Sequence, residues 1–367
     1  YHKMIELFKK IKSFLLMRLS RKTRGMSRVI FYQSNGISVN NYNEIKTSFY
    51  IKENLKIDNI TSRFFYRGDE IDYELESACI DLYETFIRKI FLNRSDYYRY
   101  IKYIPIYMMN AGLNSDCDLS KEQFQQFLEE PLEVKVLSQD SKSFEEVCSF
   151  LEKNKYKYMY AQDCHSLINS IQELLQTCKS NFIFFYKLLC QMKGTGDFCD
   201  DYYAISAEGR IVISAASNVF ISLYSIFDIL TKLAYELEHL KDCENNYPKL
   251  ASSKKLFGDN KELKNLNREG TIFEKDRTIL IVENLRNELV HNAVWEMNSK
   301  IYFHEKNGII VDKTIYFPDF SEEGHLVTYR NRKRFFSRGI KLNEILPSIY
   351  FETLQKVMIT LRRMVNE

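Results

Sequence analysis

The sequence predicts a mainly α-helical protein of two domains, the second a helical bundle with a β-hairpin inserted before its last helix. Three observations predict it. Apolar residues recur at steps of three and four over 206–241 and again over 273–297, the period of a helix with one buried face. Asn307-Gly308 separates two strand-like runs, 300–304 and 309–317, and Asn-Gly tolerates the positive φ that a tight hairpin turn needs. Gly194 and Gly196 punctuate the middle of the chain, which divides its 367 residues into 1–197 and 198–367, two domains of ordinary size.

The first domain reads as mixed and mostly helical. Ile5, Phe8, Ile11, Leu15 and Leu19 keep helical spacing over 3–19, and a basic stretch follows over 21–28. That helix either packs its apolar stripe on the rest of the chain or offers its cations to a membrane or nucleic acid. Strand-like content appears over 29–32, 47–51 and 63–66, with Asn35-Gly36 as a turn between. A helix over 72–93 aligns Leu75, Cys79, Leu82, Phe86 and Ile90. Short helices are expected over 120–129 and 142–154, the second loosely capped by Ser143. A longer one over 162–192 has Leu167, Ile171, Leu174 and Leu175 as its stripe.

In the second domain, Ser206 opens a helix that buries Phe220, Leu223, Phe227, Leu230, Ala234 and Leu237. Residues 242–270 are polar and read as a long loop with one short helix. The next helix turns Ile279, Val282, Leu285, Leu289 and Ala293 inward. After the hairpin, Pro318 ends the second strand, and a further strand is expected over 325–329. A last helix covers 343–366, with Pro347 in the first turn, where a missing N–H costs little.

Composition sets bounds on function. Apolar residues make up 45% and charged residues 28% of the chain, enough for a full core. A net charge of +3 is too mild to establish a nucleic-acid partner, so local clusters matter more. The eight cysteines form no C-x-x-C and no zinc-like spacing with histidine. Reduced thiols are expected, with no metal and no cofactor. The longest apolar runs, over 182–186 and 211–216, fall short of the roughly 18–20 residues of a membrane span. With no signal-peptide pattern, a cytoplasmic location and no membrane partner are expected.

One constellation carries chemistry. Arg286-Asn287-Glu288-Leu289-Val290-His291 lies within the helix over 273–297, and none of the other five histidines has an Arg five to seven residues before it. Five residues rise about 7.5 Å and rotate about 140° along a helix. Asn287 and His291 therefore share a face, with Arg286 on the flank. Cleavage of RNA by its own 2′-OH needs no metal. It needs a group that moves protons near neutral pH, which imidazole supplies, and a cation for the phosphate oxygens, which guanidinium supplies as a fixed fork of donors. The plainer reading makes Arg286 a surface partner of Glu283 or Glu288. Glu288 is expected to face away from His291 and to be exposed.

This run resembles the Arg-Asn-x-x-x-His form of the HEPN superfamily motif, and Ser225-Ile226-Phe227-Asp228-Ile229-Leu230-Thr231-Lys232-Leu233-Ala234 is similar to the first core helix of such domains. The resemblance covers about residues 200–367. It implies a four- or five-helix bundle, a homodimer with both motifs at its interface, and a metal-independent endoribonuclease of toxin–antitoxin, phage-defence or RNA-targeting systems. RNA would be the substrate, and an antitoxin or trigger protein a further partner. Members that have lost activity imply the alternative, a module that binds nucleic acid or protein.

Three weaker signals accompany it. Arg330, Arg332, Lys333, Arg334, Arg338 and Lys341 form a basic run interleaved with Tyr329, Phe335 and Phe336, the mixture that grips single-stranded RNA or else a solvated loop. Asp228 and Lys232, four apart, form an ordinary helix pair or help orient the motif. Phe65-Tyr66-Arg67-Gly68 faintly resembles the Phe-Arg-Gly signature of FRG domains, without that family's downstream elements.

Overall fold

The computed structural model describes residues 28–33, 36–41, 48–50, 65–66, 70–91, 95, 97–98, 144–193, 201–251, 263, 268–292, 298–306, 309–333 and 335–366. The helices expected over 3–19 and 120–129 and the boundary at 194–197 lie outside them. Among the described residues the chain is mainly helical, with five helices and two small sheets. Helix α1 spans Glu70–Ile90, α2 Phe144–Gln191, α3 Ala207–Glu238, α4 Arg277–His291 and α5 Leu342–Asn366.

Strands β1 (Arg28–Gln33), β2 (Gly36–Asn41), β3 (Ser48–Tyr50) and β4 (Phe65–Tyr66) form one sheet in the order β3-β2-β1-β4. β1 pairs antiparallel with β2 and parallel with β4. Strand β2 is additional to the expected content. Strands β5 (Asp201–Ile205), β6 (Lys300–Lys306) and β7 (Ile309–Thr314) form a second, antiparallel sheet. β6 and β7 are the expected hairpin ahead of the last helix. β5 pairs with β6 at Tyr203↔Tyr302, about a hundred residues away in sequence, and nothing local announces it. The strand expected over 325–329 is replaced by two isolated bridges, Phe320↔Leu326 and Tyr329↔Arg332.

Two compact units are each assembled from separated segments. The first comprises Tyr1–Glu74, Leu174–Ser225 and Ile272–Val357. Its core joins Phe182, Phe185, Val219, Phe220, Leu223, Ile279, Val282, Leu285, Phe317 and Leu346, all buried. Phe182 stacks on Tyr350 at 4.3 Å and Phe317 on Phe320 at 5.2 Å. Lys313 is buried at the end of α2, where its Nζ donates to the Cys190 carbonyl at 3.0 Å and to that of Met192, carbonyls that a helix C-terminus leaves without intrahelical donors.

The second unit comprises Leu75–Glu173, Ile226–Thr271 and Met358–Glu367. Cys79, Leu82, Phe86, Tyr160, Cys164, Ile168, Ile226, Leu230 and Leu361 are buried there. Glu236 is fully buried and fully engaged. It accepts from Tyr160 Oη at 2.7 Å, Lys241 Nζ at 3.2 Å and the Ala251 amide at 2.5 Å, which fastens the segment after α3.

The stripe expected on α3 is buried at every position named. Ser206 enters that helix as expected, its Oγ accepting from Gly209 N at 3.0 Å. Helix α2 differs from expectation: two helices fuse into one of 48 residues. Its buried line runs through Tyr158, Ala161, Cys164, Ile168, Ile171 and Cys178, while Leu167, Leu174 and Leu175 are half-buried. Tyrosines and cysteines fill the line where aliphatic residues were expected. By length and composition α3 could cross a membrane, and most of that stretch is buried.

Candidate functional site

Helix α4 presents the motif. Asp276 caps it in extended backbone, its carboxylate accepting from Ile279 N at 3.1 Å, one of the amides a helix start otherwise leaves unpaired. Ile279, Ile281, Val282 and Leu285 fix its rotation by burial. Asn284, Asn287, Glu288 and His291 then fall at i, i+3, i+4 and i+7, the spacing of a single helical face.

Arg286 is half-buried on the flank. Its Nη1 donates to Asn287 Oδ1 at 3.0 Å, and its guanidinium lies 4.6 Å from the centroid of the Tyr224 ring on α3. A planar cation over a tyrosine face gains from the ring quadrupole and from apolar contact. Motif residues Arg286 and Asn287 are thus coupled directly. His291 is the last residue of α4 and is exposed. Neither acidic partner foreseen for Arg286 takes that place: Glu283 lies 3.5 Å from Lys275, and Glu288 engages other groups.

Glu288 overturns its expected exposure. It is 3% exposed, accepts from Asn292 Nδ2 at 2.9 Å and lies 3.6 Å from Lys333 Nζ. Three residues rotate by about 300° in a helix, which puts Glu288 on the His291 side rather than opposite it. A buried carboxylate requires a partner, and Lys333 comes from the basic run. The two features read separately in the sequence, motif helix and basic run, therefore meet at Glu288.

The basic run is a folded loop. Asp319, 2% exposed, organises it: its carboxylate accepts from Ser337 N at 2.8 Å, Ser337 Oγ at 2.6 Å and Arg338 N at 3.0 Å. Tyr329 and Arg332 exchange two backbone hydrogen bonds of 2.9 Å around Arg330 and Asn331, whose φ values are 45° and 65°. Positive φ at both central residues is the type I′ geometry of tight hairpins. The turn exposes Tyr329, Arg330, Arg332 and Lys333 together, with Arg330 5.3 Å from the Tyr329 ring centroid. Arg338 turns back and donates from Nη1 to the Phe320 carbonyl at 2.9 Å. Lys341 pairs with Asp312 at 2.8 Å. Arg334 lies outside the described residues.

Asp228 and Lys232 are half-buried on the C-terminal part of α3, within the second compact unit, whereas Arg286, Asn287 and His291 belong to the first. Among the described residues no group of three or more His, Cys, Asp or Glu could hold a metal ion.

Four neighbours of the motif were not anticipated: Tyr224, Asn284, Glu288 in its buried role, and His325. Asn284 was within reach of sequence reasoning, because it stands seven residues before His291. His325 reaches α4 through a contact spanning 41 residues of sequence, which no local pattern encodes. Comparison with family models, curated proteins and solved structures finds no match to this chain.

Proposed function

We propose that the chain is a metal-independent endoribonuclease of the HEPN kind, in which His291 moves the proton of the RNA 2′-OH and Arg286, held by Asn287, stabilises charge on the phosphate. The observation that carries this reading is the Lys333–Glu288 pair of 3.6 Å. It holds an exposed turn of cations and tyrosine against the helix that presents an exposed His291. A phosphodiester strand lying along α4 would meet cations for its phosphates and an aromatic ring for a base. A homodimer that brings two copies of α4 into one cleft belongs to the same proposal.

Purified protein incubated with single-stranded RNA and EDTA tests it. Cleavage leaves 2′,3′-cyclic phosphate or 3′-phosphate ends, because the internal 2′-OH is the nucleophile. His291→Ala lowers the rate by about 10²–10⁴-fold and Arg286→Ala by about 10²–10³-fold. Because both act on one phosphate, the double variant is little worse than either single one. Full activity in His291→Ala ends the reading.

The engagement of Arg286 with Tyr224 and Asn287 favours a second reading, a module that binds RNA without cutting it. There the guanidinium serves α4 packing, and the same experiment gives binding without products.

A further inference from the structure

Arg286 is half-buried, and the groups that hold it carry no charge. One is the Asn287 side-chain amide, whose Oδ1 accepts from Nη1 at 3.0 Å. The other is the Tyr224 ring, whose centroid lies 4.6 Å from the guanidinium carbon. Among the described residues no carboxylate pairs with Arg286: Glu283 lies against Lys275 and Glu288 against Lys333. A cation drawn partly out of water loses hydration that an opposite charge best restores. An arginine left in this state is most stable with an anion beside it.

The core sets the place of both residues. Val219, Phe220 and Leu223 are buried along α3, and Val282 and Leu285 along α4. Tyr224 follows Leu223 and Arg286 follows Leu285, so each side chain leaves its helix beside a buried position. Both are half-buried and belong to one compact unit. A ring and an amide hold an arginine differently from an acid. A carboxylate takes two donors of the guanidinium fork and cancels its charge. A ring face offers neither a lone pair nor a net charge. It attracts the cation through its quadrupole and restricts a side chain whose many rotamers are costly to fix. Tyr224 and Asn287 therefore restrain the guanidinium while its charge and its remaining N–H donors stay available to a ligand.

We propose that Tyr224 is a positioning residue of the α4 site, an aromatic rest that holds the Arg286 guanidinium ready for the charge that develops on a phosphate in the transition state. A donor fixed beforehand needs no reorganisation at the moment of reaction. Tyr224 acts through Arg286 and touches no reacting atom. The inference rests on the endoribonuclease reading for its reaction.

The test measures kcat and KM of the full-length protein on a fluorescein-labelled single-stranded RNA of mixed sequence in EDTA. Tyr224→Leu lowers kcat by about three- to thirtyfold, the worth of a half-buried cation–π contact, and leaves KM within about twofold. Tyr224→Met, a flexible side chain without a ring, repeats the loss. Tyr224→Phe keeps the ring face and stays within about twofold of the parent. In an Arg286→Ala background Tyr224→Leu causes no further loss, because the residue through which it acts is gone. A parent that cleaves no RNA removes the endoribonuclease reading and this inference with it. A parent that cleaves while Tyr224→Leu and Tyr224→Met keep full kcat overturns the inference alone. So does a Tyr224→Phe variant as slow as Tyr224→Leu, a loss confined to KM, or a further loss on top of Arg286→Ala, which would mark a packing role.

Discussion

Glu288 joins the helix that bears Arg286 and His291 to the loop that bears the cations. Its side chain is 4% exposed, while the Lys333 side chain keeps 45% of its surface in solvent. Breaking the pair therefore costs less than breaking a fully buried one, since the lysine can rehydrate. Losing the carboxylate also deprives Asn292 Nδ2 of its acceptor, at the last turn of α4. Glu288→Ala should lower stability by about 1–2 kcal/mol, read as a fall in the denaturant midpoint at unchanged m-value. Glu288→Gln should retain most of the stability and lose the attraction to Lys333. A fall below about 0.5 kcal/mol in Glu288→Ala would return Glu288 to the surface role its neighbours in sequence suggest. Arg286 shows a related lesson: an aromatic ring on another helix, rather than an acid on its own, takes up its charge.

At the scale of elements, the turn over 321–325 decides how the loop meets α4. Gly324 combines a positive φ with a contact that leaves no space for a side chain. A non-glycine residue is strained there in backbone and in packing. Gly324→Ala should push the turn off the start of α4, separating His325 from Asn284 while leaving the β6–β7 hairpin paired. Amide hydrogen exchange should show faster exchange confined to the loop and to α4. Protection unchanged at His325 and Val327, whose amides donate to Ser321 Oγ and the Asp319 carbonyl, would count against this account. Helix α2 shows the complementary case, in which one element outruns its apparent signals. Tyr158 and Tyr160 sit in a stretch rich in lysine, Lys155-Tyr156-Lys157, which reads as a break. Both rings are nonetheless buried, because a tyrosine can bury its body while its hydroxyl finds a partner, as Tyr160 does in Glu236.

At the scale of the whole molecule, the cysteines report on packing. Cys79, Cys164, Cys178, Cys190 and Cys243 are buried and form no disulfide among the described residues. Burial pushes the Cys79 thiol up to about 12 and Cys243 to about 11, and raises Cys164 and Cys178 further. Thiolate is the reactive form, so iodoacetamide at pH 8 should leave these five unlabelled in the native protein and label them all in denaturant, read by peptide mass spectrometry. Unfolded thiols ionise near their ordinary value of 9 while folded Cys79, Cys164, Cys178 and Cys243 stay protonated. Their contribution to stability is complete below pH 9 and is lost as pH rises from 9 towards the folded value. Rapid native labelling of Cys164 or Cys178 would contradict the packed core.

What the sequence determined by itself are the properties carried by neighbours along the chain. The stripe of α3, the cap at Ser206, the β6–β7 pair ahead of the last helix and the helical placement of Arg286, Asn287 and His291 all follow from periods of two to four residues and from turn chemistry. Tertiary structure decided the rest. It added β5 to β6 across about a hundred residues, turned Glu288 inward to Lys333, placed Tyr224 beneath Arg286 and brought His325 to Asn284. Each is a pairing between side chains or strands far apart in sequence. Such pairings depend on which faces the packed core leaves together, and local periodicity specifies only that a face exists, not what will lie against it.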